Sequence, residues 1–257
     1  MTTTDTTDPA TTEPATTDTT DTTDTTDTTD TTDTTATTDA TTTDPTTTDP
    51  ATTTEPATAD TVLRHDDAPH PHGFTRAEVG WTPHLPPLAE DELTERHYDG
   101  LVDTARAKND YFRLLARDPE VLRARTLVDK DIFYNVADGL PRADRELAAT
   151  AASRRNGCVF CASVHSRFAA HHSKRQDDVD RLLDEGVSAD LGERWNAIVA
   201  ASVALTETPS AFGPDHIALL RSAGLDDGEI ADVVHGAAFF NWANRLMLSL
   251  GRPVAPA

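Results

Sequence analysis

The chain has 257 residues, a formal net charge of −22 and only two cysteines. Residues 1–60 hold fourteen of the acidic residues and no Lys or Arg, which leaves the remainder mildly acidic at −8. Without clustered Lys and Arg there is no footprint for nucleic acid or an acidic membrane surface, and no run of about eighteen apolar residues offers a bilayer span.

In chain order, residues 1–61 come first and consist almost wholly of Thr, Asp, Ala, Pro and Glu, with six consecutive Thr-Thr-Asp triplets from Thr16 to Asp33. A segment with no aromatic residue and no long aliphatic side chain after Met1 cannot offset the entropy of ordering its backbone, so a disordered Thr/Asp/Pro tail is expected. Thr with Pro also suits a glycosylated stalk, but that reading requires export. No basic segment followed by an apolar one is visible at Met1, and the expected location is cytoplasmic. Residues 62–87 form a linker or docking arm. Its His65, His70, His72 and His84 match no compact metal-ligand spacing, and Phe74, Val79, Trp81 and Leu85 are the candidates for pinning it to a domain.

Beyond Pro87 the apolar residues recur with the period of helices. The pattern predicts helices over 90–108, 110–117, 119–136, 142–155, 158–173, 177–185, 189–206, 214–223 and 227–250. Breaks fall at Pro119, Gly139, Gly157, Gly186, Gly213-Pro214 and Gly224, where caps and stops belong. No strand pattern competes, so residues 88–251 read as one all-α domain followed by a short tail over 252–257. The last helix is apolar around much of its circumference, with Ile230, Val233, Phe240, Trp242, Leu246 and Leu250. Such a helix lies at the centre of a domain or in a subunit interface, and a homo-oligomer is expected.

Chemistry concentrates in one place. Both cysteines sit in a single Cys158-Val-Phe-Cys161 pair directly after Asn156-Gly157. In a cytoplasmic protein this spacing points to redox or metal chemistry rather than a structural disulfide. Gly157 marks a helix start, which puts Cys158 in the first turn, where the free N–H groups favour thiolate over thiol. Spacings of three and four place Cys158, Cys161 and His165 within an arc of about 60° on one helix face. His165 is one turn from Cys161 and positioned to exchange a proton with it. Glu146 lies on the preceding Ala-rich helix, and antiparallel packing through the turn at Asn156-Gly157 would let its carboxylate orient His165. The location at the helix start favours Cys158 as the more acidic thiol, and the neighbouring histidine favours Cys161. The alternatives are a zinc site made by Cys158, Cys161, His165 and Glu146, a mixed set unusual for structural zinc, and an inert thiol pair. His171 and His172 are expected at the surface near the helix C-terminus. His235 is a further candidate to line the site, although a lone histidine on an apolar face is more often a core residue.

Arg145-Glu146-Leu147-Ala148, then Asn156-Gly157-Cys158-Val159-Phe160-Cys161, then His165 resembles the core motif of the alkylhydroperoxidase D-like (AhpD-like) branch of the carboxymuconolactone decarboxylase family. A looser similarity runs from about Leu93 to Leu250 and includes Asn244-Arg245-Leu246. The resemblance implies an all-α AhpD-like fold assembled as a trimer or hexamer, and reduction of a hydroperoxide substrate with no cofactor and no metal. It implies Cys161 as the peroxidatic cysteine, Cys158 as the resolving one, and Glu146 and His165 as a proton relay. The reductant would be a dithiol on a lipoyl-bearing or thioredoxin-like protein. Well-known members carry a histidine just before the second cysteine, where this chain has Phe160, so the relay must be shorter or use water. A redox-sensing or interaction module and a dithiol-disulfide oxidoreductase acting on proteins are the alternative functions.

Overall fold

Residues 61–135 and 137–255 are described by a computed structural model. The expected Thr/Asp tail lies outside the described residues. The described residues are helical almost throughout: α1 (Glu95–Leu101), α2 (Asp110–Leu115), α3 (Pro119–Tyr134), α4 (Arg142–Asn156), α5 (Val159–Ser173), α6 (Gln176–Asp184), α7 (Glu193–Thr206), α8 (Pro214–Ser222) and α9 (Asp227–Leu250). The all-α expectation holds.

α4 is the centre of the domain. Every residue from Asp144 to Ser153 is buried, and α5, α7 and α9 pack around it. Its alanines explain how: Ala148, Ala149, Ala151 and Ala152 are wholly buried, and small side chains let neighbouring helix backbones approach from several sides. The buried Asp144 and Arg145 of α4 are satisfied inside the core. Asp144 accepts from Arg194 Nε and Trp195 Nε1, both at 2.9 Å. Arg145 donates to the carbonyls of Leu140, Ile132 and Asp138 and to Asp232 on α9, which ties the α3–α4 connection to the last helix.

Two expectations need correction. The single helix over 90–108 is instead a 3-10 turn at Glu90–Glu92, α1, and a second 3-10 turn at Thr104–Lys108. Asp103 accepts from the Ala105 N–H and Asn109 from the Tyr111 N–H; such local side-chain bonds compete with helix continuation, and Val102 turns the chain with a φ of 63°. Strands also occur: β1 (Gly80–Pro83) pairs antiparallel with β2 (Gly251–Val254), Gly80 opposite Val254 and Pro83 opposite Gly251. The pair docks residues 62–87 onto the domain. Trp81 Nε1 donates to the Met247 carbonyl at 3.1 Å, and Arg76 forms a two-pronged pair with Asp180. Val79 is buried and Phe74 lies under the Arg154 guanidinium, whereas Leu85 is exposed. Gly251 is required by this contact, because a Cβ there would meet the Trp81 ring at 2.2 Å.

Candidate active site

The site is built on the α4–α5 hairpin. Gly157 ends α4 in the left-handed region, with φ 81°, a conformation that glycine adopts without a Cβ penalty. The reversal lays α5 antiparallel on α4, and Cys158 becomes the N-cap of α5, one residue outside the expected first turn. Its carbonyl accepts from the Ala162 N–H at 3.0 Å. Its sulfur therefore sits at the helix start, where N–H groups have no partner within the helix.

Both cysteines are free and buried. They differ in acidity for a local reason. The Cys158 thiol is held below the ordinary range chiefly because it accepts the Cys161 S–H; the backbone N–H groups of Cys161 and Phe160 and the Asn244 amide add to this and outweigh burial. Donating that bond, and being buried, pushes the Cys161 thiol well above its ordinary range. The two are one coupled unit, and its first thiolate rests on Cys158. Asn244 is itself wholly buried, donating to Ser153 Oγ and accepting from Asn156, both at 3.0 Å.

Glu146 and His165 meet across the hairpin. His165 Nδ1 donates to Glu146 Oε2 at 2.5 Å, so in the neutral ring Nε2 is the acceptor nitrogen. Arg142, one turn before Glu146, donates to the other carboxylate oxygen from Nε at 2.6 Å and forms an ion pair with it, Nη2 lying 2.5 Å from the same oxygen. With a relative exposure of 0%, this carboxylate depends on both partners. The imidazole is wedged against Phe240 at 4.0 Å and Phe133 at 5.3 Å between ring centroids. Arg142 in turn lies over Tyr134 and against Phe133 and Phe168.

A cavity of about 290 Å³ opens onto these groups. Cys161, His165, Glu146 and Arg142 line it; Cys158 does not. Phe160 forms part of the apolar wall. His235 is exposed beside Asp232, away from this cavity, and His171 and His172 are exposed at the end of α5. Among the described residues, no three His, Cys, Asp or Glu side chains are arranged to hold a metal ion, and no helix is long and apolar enough to cross a membrane.

Arg142, Asn244, Arg125 and Tyr111 were not anticipated as part of the site. Arg142 had a visible signal in its spacing of four from Glu146, and Asn244 in being a polar residue within an apolar helix. Arg125 and Tyr111, which also line the cavity, had none, since their roles depend on how α2 and α3 pack.

A helical hairpin that presents a Cys-x-x-Cys pair at a helix start, beside a buried Glu–His pair, defines a dithiol-bearing domain of AhpD-like fold. Residues 119–204, which hold all four motif residues, match the model of the Carboxymuconolactone decarboxylase family, and the resemblance read from the motif is borne out. Similar solved structures include an uncharacterized peroxidase-related protein from Ralstonia eutropha JMP134, described as an alkylhydroperoxidase AhpD core, with TM-score 0.56, 21% identity, and coverage of 65% of this chain and 90% of that one. A peroxidase-related protein from Silicibacter sp. TM1040 gives TM-score 0.54, 22% identity and coverage of 66% and 92%. The debrominase Bmp8 gives TM-score 0.51, 18% identity and coverage of 64% and 88%. These likenesses concern the fold. No curated protein sequence matches the chain.

Proposed function

We propose that the protein is a thiol-dependent peroxidase of the AhpD-like kind, reducing hydroperoxides through Cys161 and Cys158. The observation that carries this reading is the placement of Cys161, His165 and Glu146 on one largely apolar cavity, with Cys158 behind the reacting sulfur. Cys161 sulfur attacks the peroxide O–O bond; an S–O bond forms, the O–O bond breaks, and the thiol is oxidised to a sulfenic acid as the hydroperoxide is reduced to an alcohol. The thiol proton passes to His165 Nε2 and on to the leaving alkoxide. Cys158 thiolate then attacks the sulfenic sulfur, forming the disulfide as hydroxide leaves and is protonated to water. A dithiol, supplied by a lipoyl-bearing or thioredoxin-like protein, reduces the disulfide through a mixed disulfide.

The unequal acidity of the pair suits this division. Cys158, the more acidic thiol, is the one that more readily supplies the thiolate to resolve the sulfenic acid. Cys161 is held protonated by its neighbour and by burial, and so it needs a base. With Phe160 in place of a relay histidine, that base is His165, oriented by Glu146. We place the protein in the cytoplasm, where thiols stay reduced, as a homo-oligomer, a trimer or hexamer by the family resemblance.

The test is steady-state peroxide consumption with dithiothreitol, together with mass spectrometry of the peptide that holds both cysteines. Turnover is expected, with a sulfenic acid trapped on Cys161 in Cys158→Ser and none on Cys158 in Cys161→Ser. Reversible thiol oxidation without turnover would leave a redox switch instead, and zinc copurifying in a one-to-one ratio would end the redox reading.

A further inference from the structure

Two polar side chains of the same cavity have no part in the chemistry above. Tyr111 on α2 and Arg125 on α3 line it at relative exposures of 6% and 8%. Among the described residues, neither Tyr111 Oη nor Arg125 Nε and Nη1 has a well-formed hydrogen bond; the two groups face each other, the guanidinium acting on the phenol oxygen, which leaves the phenol O–H without an acceptor. Buried polar atoms are nearly always paired, and a set of unpaired donors in one place calls for an explanation.

Beyond that mutual contact, the surroundings hold these donors in position without using them. The Arg125 guanidinium lies 5.6 Å from the Phe112 ring centroid and 5.3 Å from that of Phe239, so ring faces support its charge and leave N–H groups free. Asp129 offers only partial compensation. Its Oδ2 is 3.6 Å from Arg125 Nη1, beyond hydrogen-bond reach, and 3.8 Å from Arg106 Nη2. Two guanidinium groups thus share the Asp129 carboxylate, which also lines the cavity, so the Arg125 charge is only partly compensated. The other charges on the cavity wall are matched, because Arg142 is paired with Glu146. Burial pushes the Tyr111 phenol up, which keeps its hydroxyl a donor. The site is close to the chemistry, since the Arg125 charge acts on the Cys161 sulfur.

We propose that Arg125 and Tyr111 form an anion-binding subsite within the cavity, which takes the carboxylate of an acidic hydroperoxide while its apolar body lies against Phe133, Phe160 and Phe240. The proposal rests on the peroxidase reading and names its substrate class. A guanidinium with free N–H groups beside a phenol donor is the chemistry that recognises a carboxylate. Apolar walls suit an aryl or short acyl body rather than hydrogen peroxide.

The experiment compares the para-carboxylate of cumene hydroperoxide with its methyl ester, using the full chain and dithiothreitol. The ester has the same reacting group and differs by the charge. The acid is expected to be preferred in kcat/KM by about tenfold or more, the scale of a charged hydrogen bond. Arg125→Met should collapse that ratio to near one. Tyr111→Phe removes an unpaired hydroxyl and keeps the ring; it should lower the ratio several-fold with no loss of thermal stability. Equal turnover of acid and ester, or a ratio that survives Arg125→Met, overturns the subsite. A second measurement separates this from the peroxidase reading: calorimetric binding of para-isopropylbenzoate, which carries no peroxide, to the reduced protein. Arg125-dependent binding without peroxide turnover would sink the peroxidase and keep the subsite. Turnover without such binding and without acid preference would do the reverse.

Discussion

At the scale of single residues, the site turns on two sulfurs that share one proton. Cys158 has a lowered pKa and Cys161 a raised one, so a pH titration followed by thiolate absorbance should show one thiolate per chain forming below the ordinary thiol range and the second far above it. Linkage fixes the signs. The Cys158 contribution to stability grows as pH rises through its folded pKa, is complete above the unfolded value, and is lost as pH falls. The Cys161 contribution is present below the unfolded value and lost as pH rises through its own folded pKa. Cys161→Ala removes the S–H that Cys158 accepts, and the first thiolate should then move up towards the ordinary range. If it stays put, the helix start and not Cys161 sets the acidity. The buried Glu146 carboxylate yields a second prediction. Arg142→Met leaves it with the His165 N–H alone, and breaking a buried pair in this way costs about 3–5 kcal/mol, measurable by urea unfolding. Glu146→Gln should slow peroxide turnover by about a hundredfold while the trapped cysteine stays Cys161. Cys158, Cys161 and His165 stand at spacings that one helix converts into proximity, and Glu146 joins them through the hairpin turn at Gly157, which is why the four were legible together. Their order of acidity was not. It depends on which sulfur donates to which, and on Asn244, some 80 residues further along the chain.

At the scale of elements, helix periodicity reported the core because α4, α5, α7 and α9 each bury a continuous face. The β1–β2 pair is not legible in the sequence, for the opposite reason. Its strands have four residues each, they are separated by the whole helical domain, and strands so short carry no alternation to read. Phe74, Val79, Trp81 and Leu85 pointed to docking of the arm, without its strand pairing. The pairing matters to the site, because the Trp81 ring stands edge-on to Tyr111 at 5.4 Å, and Tyr111 lines the cavity. Gly251 is the position where this can be tested. A methyl group there would sit 2.2 Å from the Trp81 ring and 2.3 Å from the Thr82 carbonyl, so the strand or the ring must shift. Gly251→Ala is expected to cost about 1–3 kcal/mol, as overpacking does, and to make the 62–87 arm more sensitive to limited proteolysis while the helical circular dichroism is kept. An unchanged cleavage rate would mean that the strand pair does not hold the arm.

At the scale of the whole molecule, the apolar character of α9 has an explanation within the chain. Ile230, Val233, Ala237, Phe239, Phe240, Ala243 and Met247 are buried against the other helices, so the helix that suggested an interface is mostly spent on the core. More large apolar side chains are exposed on α3, where Val121, Leu127, Val128 and Tyr134 all are, Val128 by 49%, than on α9, where Trp242 and Leu248 are. Val121 and Val128, seven residues apart, share one face, and Leu127 flanks it. A helix that displays four large apolar side chains is the face on which a homo-oligomer would form. Light scattering after gel filtration should give a mass that is a multiple of 27.7 kDa, and Val128→Asp should return it to a single chain. Salt sharpens the distinction. Each chain carries a formal −22, so like charges oppose association, and screening them should strengthen an apolar contact and weaken one made by ion pairs. Association that tightens as salt is raised and is abolished by Val128→Asp fits the α3 face. A single-chain mass at every salt concentration would remove the oligomer altogether.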